Sequence, residues 1–458
     1  WRFGVVAGRR ASAKYANAEA ARLYDRALEA ARRATDVPGS DVAEVQEALG
    51  DLWDKLGESR KAEAAYRAAR RLLAGDPVVQ GRLLLKEAYV PERVGRYSQA
   101  LRSIARGHRA VEGVEGTEAA AQRARLSAAY ASIVQAQGRA REAIRWCRRA
   151  IAEAEQAGDR DALGHAYFTL SWAYSSLGDP RSSEYGREAL AIYEELENIG
   201  RQGLVLNYLG ALAYWDGEWD RAMDYYDRGR EARERTGDPV NAAMGTANVG
   251  EILSDQGHLD RAQEHFQAAR RAWRAAGYRD GVALATTYLG RVASRASRFD
   301  EAGALFAQAR AEFEDIGDRA SVLETDVRIA ECSLLRGDPD QGLAQADDAL
   351  RRAEEAGGVN VHAPGLHRIR GHALALLGDH PAAREALETS LELGRARNAA
   401  YEVALTLSAL AALARAEGAP ESQVQGVDDE GRAILDRLGV VSISVPVIPA
   451  RAVAIPAG

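Results

Sequence analysis

Small and apolar residues recur along this chain at a spacing that no single helix or strand imposes. Aligned on Gly210, Gly250 and Gly290, the neighbours fall into columns. Leu209, Val249 and Leu289 precede the glycines. Ala222, Ala262 and Ala302 lie twelve residues on, Tyr226, Phe266 and Phe306 four further, and Gly229, Ala269 and Ala309 three beyond those. A fixed period of 40 residues signals a repeat architecture rather than one folded globule.

The spacings within a unit are helical. Residues three and four apart share one helical face, so the alanine, the ring and the following small residue line a single stripe. Small residues let two helices approach closely, and the ring fills the space between them. Each unit therefore reads as helix A, carrying the Leu-Gly pair, followed by helix B, carrying the Ala-aromatic-small set. One such pair cannot bury its apolar face alone, so units must stack. The expectation is an all-α chain of about 21 helices in antiparallel pairs, a right-handed α-solenoid superhelix of helix-turn-helix repeats with no sheet in residues 1–438.

This pattern resembles the tetratricopeptide repeat, which places Leu-Gly in helix A and Ala, Tyr/Phe and Ala in helix B. The family's usual unit is about 34 residues and closes helix B with proline. Here the unit is longer and the proline column is empty, consistent with helices extended by about a turn.

The register can be followed through most of the chain. Tyr15–Arg33 reads as a helix B with Ala20, Tyr24 and Ala27. The next unit carries Leu49-Gly50, Ala62, Tyr66 and Ala69, and later ones carry Ala88 with Ile104 and Ala131 with Cys147. The unit around Leu170-Ser171 has a shortened or shifted second helix. Beyond the three clear units the glycine position becomes Ala330, Gly371 and Ala411. The dipeptide Gly-Asp recurs at Gly158, Gly178, Gly237, Gly317, Gly337 and Gly378. It pairs a helix-ending left-handed residue with a side chain that caps the next helix. The reading divides the chain into a solenoid of about ten repeats over 1–418, a capping helix over 419–438 and an extended or disordered tail over 439–458. Prolines at 446, 449 and 456 forbid a helix in that tail.

Composition narrows the possibilities. The net charge of -7 gives no general affinity for nucleic acid or an anionic membrane. Only four lysines occur, so almost all positive charge is arginine. No stretch approaches the roughly 18 apolar residues that span a bilayer, and no charged start leads into an apolar run. A cytoplasmic protein is expected. Cys147 and Cys332 fall on internal positions and read as small buried hydrophobes. The chain opens at Trp1 without a methionine, and is expected to be the C-terminal part of a larger protein.

Catalytic chemistry is not evident. There is no phosphate loop, no His-Glu-x-x-His, no Gly-x-Ser-x-Gly and no paired-cysteine zinc motif. His367 and His372 are five residues apart, on different sides of a helix, unlike the i,i+4 pairs that chelate zinc. No catalytic residue, metal or cofactor is therefore assigned. The resemblance to tetratricopeptide repeats implies that helix A residues line a concave groove where peptides bind. On that face stand Phe168 and Trp172, then Asn207, Tyr214 and Trp215, then Asn248, Glu251 and Asp255, then Arg291 and Arg295. An asparagine amide can donate to and accept from a peptide backbone at once, and exposed aromatics are rigid anchors. The two tryptophans could equally fill gaps between long helices, and Glu251 could simply pair with Arg291. Glu44, Glu47, Asp51 and Asp54 form an acidic stripe that reads as a solvated face or a contact for a basic partner.

The opening is more specific. Trp1-Arg2, Ala7-Gly8-Arg9-Arg10-Ala11 and Ala13-Lys14-Tyr15-Ala16-Asn17-Ala18-Glu19-Ala20-Ala21, running into Leu23-Tyr24, resemble the start of the repeat region in large actinobacterial signalling proteins. Those proteins join a class III adenylate/guanylate cyclase domain and an AAA-type, STAND-like ATPase module to a C-terminal repeat array. The resemblance implies a regulatory or sensory region coupled to upstream domains of the same polypeptide. Two functions follow from the sequence: a scaffold that binds a protein or peptide in its groove, or a domain that senses a small-molecule inducer and controls an upstream ATPase or cyclase.

Overall fold

The computed structural model describes residues 1–14, 16–34, 36–93, 95–356 and 361–448. Tyr15 of the opening motif and the last ten residues of the tail lie outside the described residues. Among the described residues there are 22 α-helices and no strand. They form two compact units, Trp1–Asn198 and Ile199–Gly458.

Unit 1 holds five antiparallel pairs. α1 (Arg2–Ala13) pairs with α2 (Asn17–Arg33), α3 (Gly39–Lys55) with α4 (Ser59–Leu72), and α5 (Pro77–Arg93) with α6 (Tyr97–Val111). α7 (Thr117–Ala136) pairs with α8 (Ala140–Ala157), and α9 (Arg160–Ser175) with α10 (Arg181–Glu195). Unit 2 holds six pairs. They are α11 (Ile199–Trp215) with α12 (Trp219–Arg235), α13 (Pro239–Gln256) with α14 (Leu259–Ala275), and α15 (Arg279–Arg295) with α16 (Phe299–Ile316). Then come α17 (Arg319–Arg336) with α18 (Pro339–Ala356), α19 (Ala363–Leu376) with α20 (His380–Ala396), and α21 (Ala400–Ala416) with α22 (Glu421–Arg437).

The glycine column has a direct cause. The ring sixteen residues downstream packs directly against the glycine of its own helix A. A Cβ at Gly8, Gly50 or Gly210 would stand 2.5, 2.5 or 2.6 Å from Tyr24, Tyr66 or Tyr226, and one at Gly250 or Gly290 would stand 2.9 or 2.7 Å from Phe266 or Phe306. No side chain fits there, so the ring and the bare backbone specify each other. The same offset seats Leu387 on Gly371. At Ser171 the seat is replaced by a hydroxyl that donates to the Ser182 carbonyl at 2.6 Å, a buried bond that ties α9 to α10. Tyr193 packs against Gly164, as Val111 and Arg233 pack against Gly81 and Gly203. The alanines at 222, 262 and 302 have no accessible surface.

The turns follow from the Gly-Asp dipeptides. Gly237 takes φ +70 after α12, and Asp238 accepts from the Asn241 amide at 3.1 Å while Pro239 opens α13. Asp159, Asp318, Asp338 and Asp379 cap the helices after them in the same way.

Within each unit A helices touch the A helices of neighbouring repeats: α5–α7 and α7–α9 in unit 1, α13–α15, α15–α17, α17–α19 and α19–α21 in unit 2. The A helices are thus the inner layer. In unit 1 the acidic stripe is spent on this layer. Glu47 takes Arg82 at 3.0 Å and Lys86 at 2.9 Å, Asp51 takes Lys86 at 2.8 Å, and Asp54 takes Arg93 at 2.8 Å. Such half-exposed pairs contribute at most about 1 kcal/mol each and chiefly fix register.

Unit 2 curves until its first repeat meets its last. The Trp219 ring at the start of α12 lies 5.5 Å from the Tyr401 ring at the start of α21. Leu438, just past α22, belongs to the same buried cluster as Trp219, Tyr226 and Phe266. The Gln256 amide donates to the Leu438 carbonyl at 3.0 Å across 182 residues.

The seat can be tested by adding one carbon. Helix propensity alone favours Gly→Ala by about 1 kcal/mol. Gly303→Ala, in α16 with open space around its Cβ, should gain about that much. Gly210→Ala should instead lose about 1–3 kcal/mol, because the added carbon collides with the Tyr226 ring. Urea midpoints of the two variants should move in opposite directions.

Candidate functional site

The 40-residue period sets residues of successive A helices side by side on the inner layer of unit 2. Asn207 and Tyr214 share a face of α11, Asn248, Glu251 and Asp255 a face of α13, and Arg291 and Arg295 a face of α15. At one end, the Asn248 side-chain amide donates to Asn207 Oδ1 at 3.1 Å. At the other, the Tyr214 hydroxyl donates to Asp255 Oδ2 at 2.8 Å. Tyr214 is held by stacking on Trp219 at 5.7 Å, while Trp215 meets it edge-on and stays exposed.

Asp255 is the electrostatic centre. Its Oδ1 accepts from Arg291 Nη2 at 2.6 Å and from Arg295 Nη1 at 3.0 Å, and Arg295 Nη1 also donates to the Ser254 carbonyl at 2.7 Å. Burial alone would push this carboxyl up, but the two guanidinium groups and the Tyr214 hydroxyl hold it below the usual range. The cluster continues around the inner layer. Arg368 on α19 donates to Glu331 on α17 at 3.3 Å and to Glu402 on α21 at 2.8 Å. Burial raises Glu331, yet Arg368, Arg295 and Arg291 together pull it down to about 2. His372, buried against the Arg368 carbonyl, is pushed down to about 4 by burial and by Arg368.

Glu251 is different. Its nearest cation is Arg291 Nη1 at 3.7 Å, beyond hydrogen-bonding distance. Burial dominates, Asp255 adds repulsion, and the carboxyl rises to about 7 despite Arg291. Arg291 is 4 % exposed, and among the described residues its Nε and Nη1 donate no hydrogen bond. The site therefore contains a carboxyl that changes charge near neutrality beside a guanidinium with two unused donors.

Phe168 and Trp172 stand on α9 of unit 1, the first half-buried and the second 37 % exposed. Unit 1 also contains an open cavity of about 830 Å³ lined by His108, Arg123, Trp146, Arg149 and Glu153. Of the three arginines that line it, Arg149 is engaged by Glu153 at 3.1 Å and Arg123 by the Val114 carbonyl at 2.8 Å. Among the described residues no group of three or more His, Cys, Asp or Glu is arranged to hold a metal ion, and no helix is long and apolar enough to cross a membrane. Cys147 and Cys332 are both buried and free.

Sequence reasoning singled out Asn207, Tyr214, Trp215, Asn248, Glu251, Arg291 and Arg295, but not Glu331, Arg368, Glu402 or Tyr401. A signal existed for the first of these: Glu251, Arg291 and Glu331 alternate in sign at the 40-residue period. Arg368 and Glu402 fall short of that period, and only the packed helices reveal them.

A model of the tetratricopeptide repeat family matches residues 122–195 and 240–315. The fold is a tetratricopeptide-repeat solenoid. Similar solved structures include apo RapI (TM-score 0.60, 13 % identity, covering 78 % of this chain and 98 % of that one). A Rap protein complexed with competence and sporulation factor is also similar (0.56, 15 %, 78 % and 99 %). So is a Pyrococcus horikoshii signal-transduction ATPase with a tetratricopeptide repeat sensor (0.52, 14 %, 73 % and 52 %). At such identities the likeness is one of fold. No characterised protein matches the chain by sequence.

The raised Glu251 carboxyl gives unit 2 a pH dependence. Its folded value of about 7 lies above the ordinary 4.5, so the folded state binds this proton more tightly. Its contribution to stability is complete below pH 4.5 and is lost as pH rises through 7. The parent should thus lose about 3.5 kcal/mol between those limits at ~1.4 kcal/mol per pK unit. Glu251→Gln should flatten that slope in urea titrations followed by tryptophan fluorescence.

Proposed function

We propose that this chain is a protein- or peptide-binding scaffold without chemistry of its own, and that unit 2 receives an extended chain on the inner face of its A helices. The observation that carries this reading is the Asn207–Asn248 pair. Both side chains are half-buried on successive A helices, and the single bond between them is the one each makes among the described residues. Their remaining amide donors and acceptor are spaced along the wall for a peptide backbone. Around them Trp215 offers exposed apolar area, and Glu251 and Arg291 set the charge preference. On unit 1, Phe168 and Trp172 offer a comparable aromatic patch. Support comes from a Rap protein of this fold that was solved with a competence and sporulation factor, and from the repeat sensor of a signalling ATPase. The chain is accordingly read as the regulatory or sensory region of a larger signalling protein, acting on upstream domains of the same polypeptide.

One observation favours a second reading, the sensing of a small inducer. Arg291 lies buried in the closed curve of unit 2 with two donors unused, which suits a carboxylate or phosphate better than a neutral backbone.

A phage-displayed library of random decapeptides separates the two. The scaffold reading expects enrichment on the parent chain. It also expects affinity to fall about thirtyfold in Asn207→Ala/Asn248→Ala, two hydrogen bonds at ~1 kcal/mol each, with the melting curve unchanged. Equal enrichment on parent and variant would contradict it. No enrichment, together with a thermal shift from small carboxylates or phosphates that Arg291→Met abolishes, would establish the second reading.

A further inference from the structure

The last described segment, Gly439–Ile448, does not leave unit 2. Gly439, at φ +69, ends α22 and turns the chain toward α13; a Cβ there would meet Gln256 Nε2 at 3.1 Å. The chain then runs extended across the C-terminal ends of A helices. The Val441 amide donates to the Gln256 carbonyl at 2.8 Å, completing a two-bond contact with the Gln256 amide on Leu438. Ser442 lies over Gly257, where a Cβ would come 2.3 Å from its hydroxyl oxygen. The Ser444 hydroxyl donates to the Arg295 carbonyl at 3.2 Å. Finally Ile448 drops into an apolar slot formed by Leu374, Ala383, Leu387 and Leu413.

Two features set this segment apart from a permanent structural strand. Its contacts are sparse and its side chains mostly outward: Val441 and Val447 are 66 % and 85 % exposed, and Ile448 alone of residues 439–448 is buried. It also lies directly beside the candidate site. Gln256 follows Asp255, and Arg295 contributes its carbonyl to the segment and its guanidinium to Asp255. One main-chain bond, side-chain bonds to carbonyls at either hand and one apolar side chain in a slot are contacts of the kind that hold an extended peptide. Val445-Pro446 keeps the segment extended and prevents it from folding into a further helix.

We propose that residues 439–448 are a resident peptide of unit 2: an extended, apolar segment that occupies a receptor rim on α13, α15 and the α19–α21 slot, and leaves when an external chain of the same character binds. This rests on the scaffold reading above and names the chemistry of the partner: an extended stretch of β-branched residues ending in an aliphatic anchor. A segment tethered this closely competes at an effective concentration on the order of millimolar.

The test uses a fluorescein-labelled synthetic peptide of residues 439–448, solubilised by two N-terminal lysines. It is titrated by fluorescence anisotropy into the full chain and into a chain ending at Leu438, with circular dichroism checking both folds. The shortened chain should bind the peptide at least about ten-fold more tightly than the full chain. Full-length Ile448→Asp, which leaves every repeat intact, should approach the shortened chain. Equal affinity in all three chains, or no binding to a folded shortened chain and to Ile448→Asp, would overturn the proposal. Failure here while the decapeptide library still enriches on the Asn207–Asn248 wall would leave the scaffold reading standing. Absence of both would remove it as well.

Discussion

Five of the eleven described helix pairs are set by one contact, a ring of helix B against a helix A glycine sixteen residues earlier. The contact has no tolerance, because a single added carbon at Gly8, Gly50 or Gly210 would overlap the ring. It fixes how deeply the two helices of a repeat approach and which faces they leave for the next pair. Repeats so built bury little individually and acquire a core by stacking. In unit 2 the stacking curves far enough for the first repeat to reach the last, through Trp219 against Tyr401 and the Gln256–Leu438 bond.

Closure explains the electrostatics. On an open wall, opposite charges 40 residues apart would face water and contribute little. Enclosed by the curve, Asp255, Arg291, Arg295, Glu331, Arg368 and Glu402 must satisfy one another, and most do so at hydrogen-bonding distance. Removing one member would leave a buried charge without its partner, which is far costlier than losing a surface pair. The exceptions are informative. Glu251 and the free edge of Arg291 are the places where this balance is incomplete, one turn from Asn248 on α13 and from Arg295 on α15.

The repeat was legible in the sequence because its cause is local. A glycine, an alanine and a ring at fixed offsets state which residues touch, and the six Gly-Asp turns state where helices end. Asn207, Asn248, Glu251, Arg291 and Arg295 could be placed on one face for the same reason. Curvature was not legible. It accumulates from small rotations at each A–A contact, which the period does not encode, so the meeting of Trp219 with Tyr401 left no sequence signal. The depth of Asp255 follows from that curvature: the period sets Glu251 beside Arg291, facing a partner or each other, whereas in the folded unit Arg291 turns its closest bond to Asp255 at 2.6 Å. The course of residues 439–448 was hidden too. Their prolines exclude a helix, but the partner of Val441 is 185 residues away and belongs to no repeating column.

Closure of unit 2 is therefore the claim to test directly. A Cβ on Gly217 would lie 3.2 Å from that of Ala400, close to the ~3.5–4.5 Å span of a disulfide. In a background with Cys147 and Cys332 replaced by alanine, Gly217→Cys/Ala400→Cys should form one intrachain disulfide on mild oxidation of the folded protein. The crosslinked species would migrate faster on a non-reducing gel and show no free thiol. Two thiols that stay fully alkylatable in the folded, oxidised protein would contradict closure, and with it the enclosed charge cluster on which this account rests.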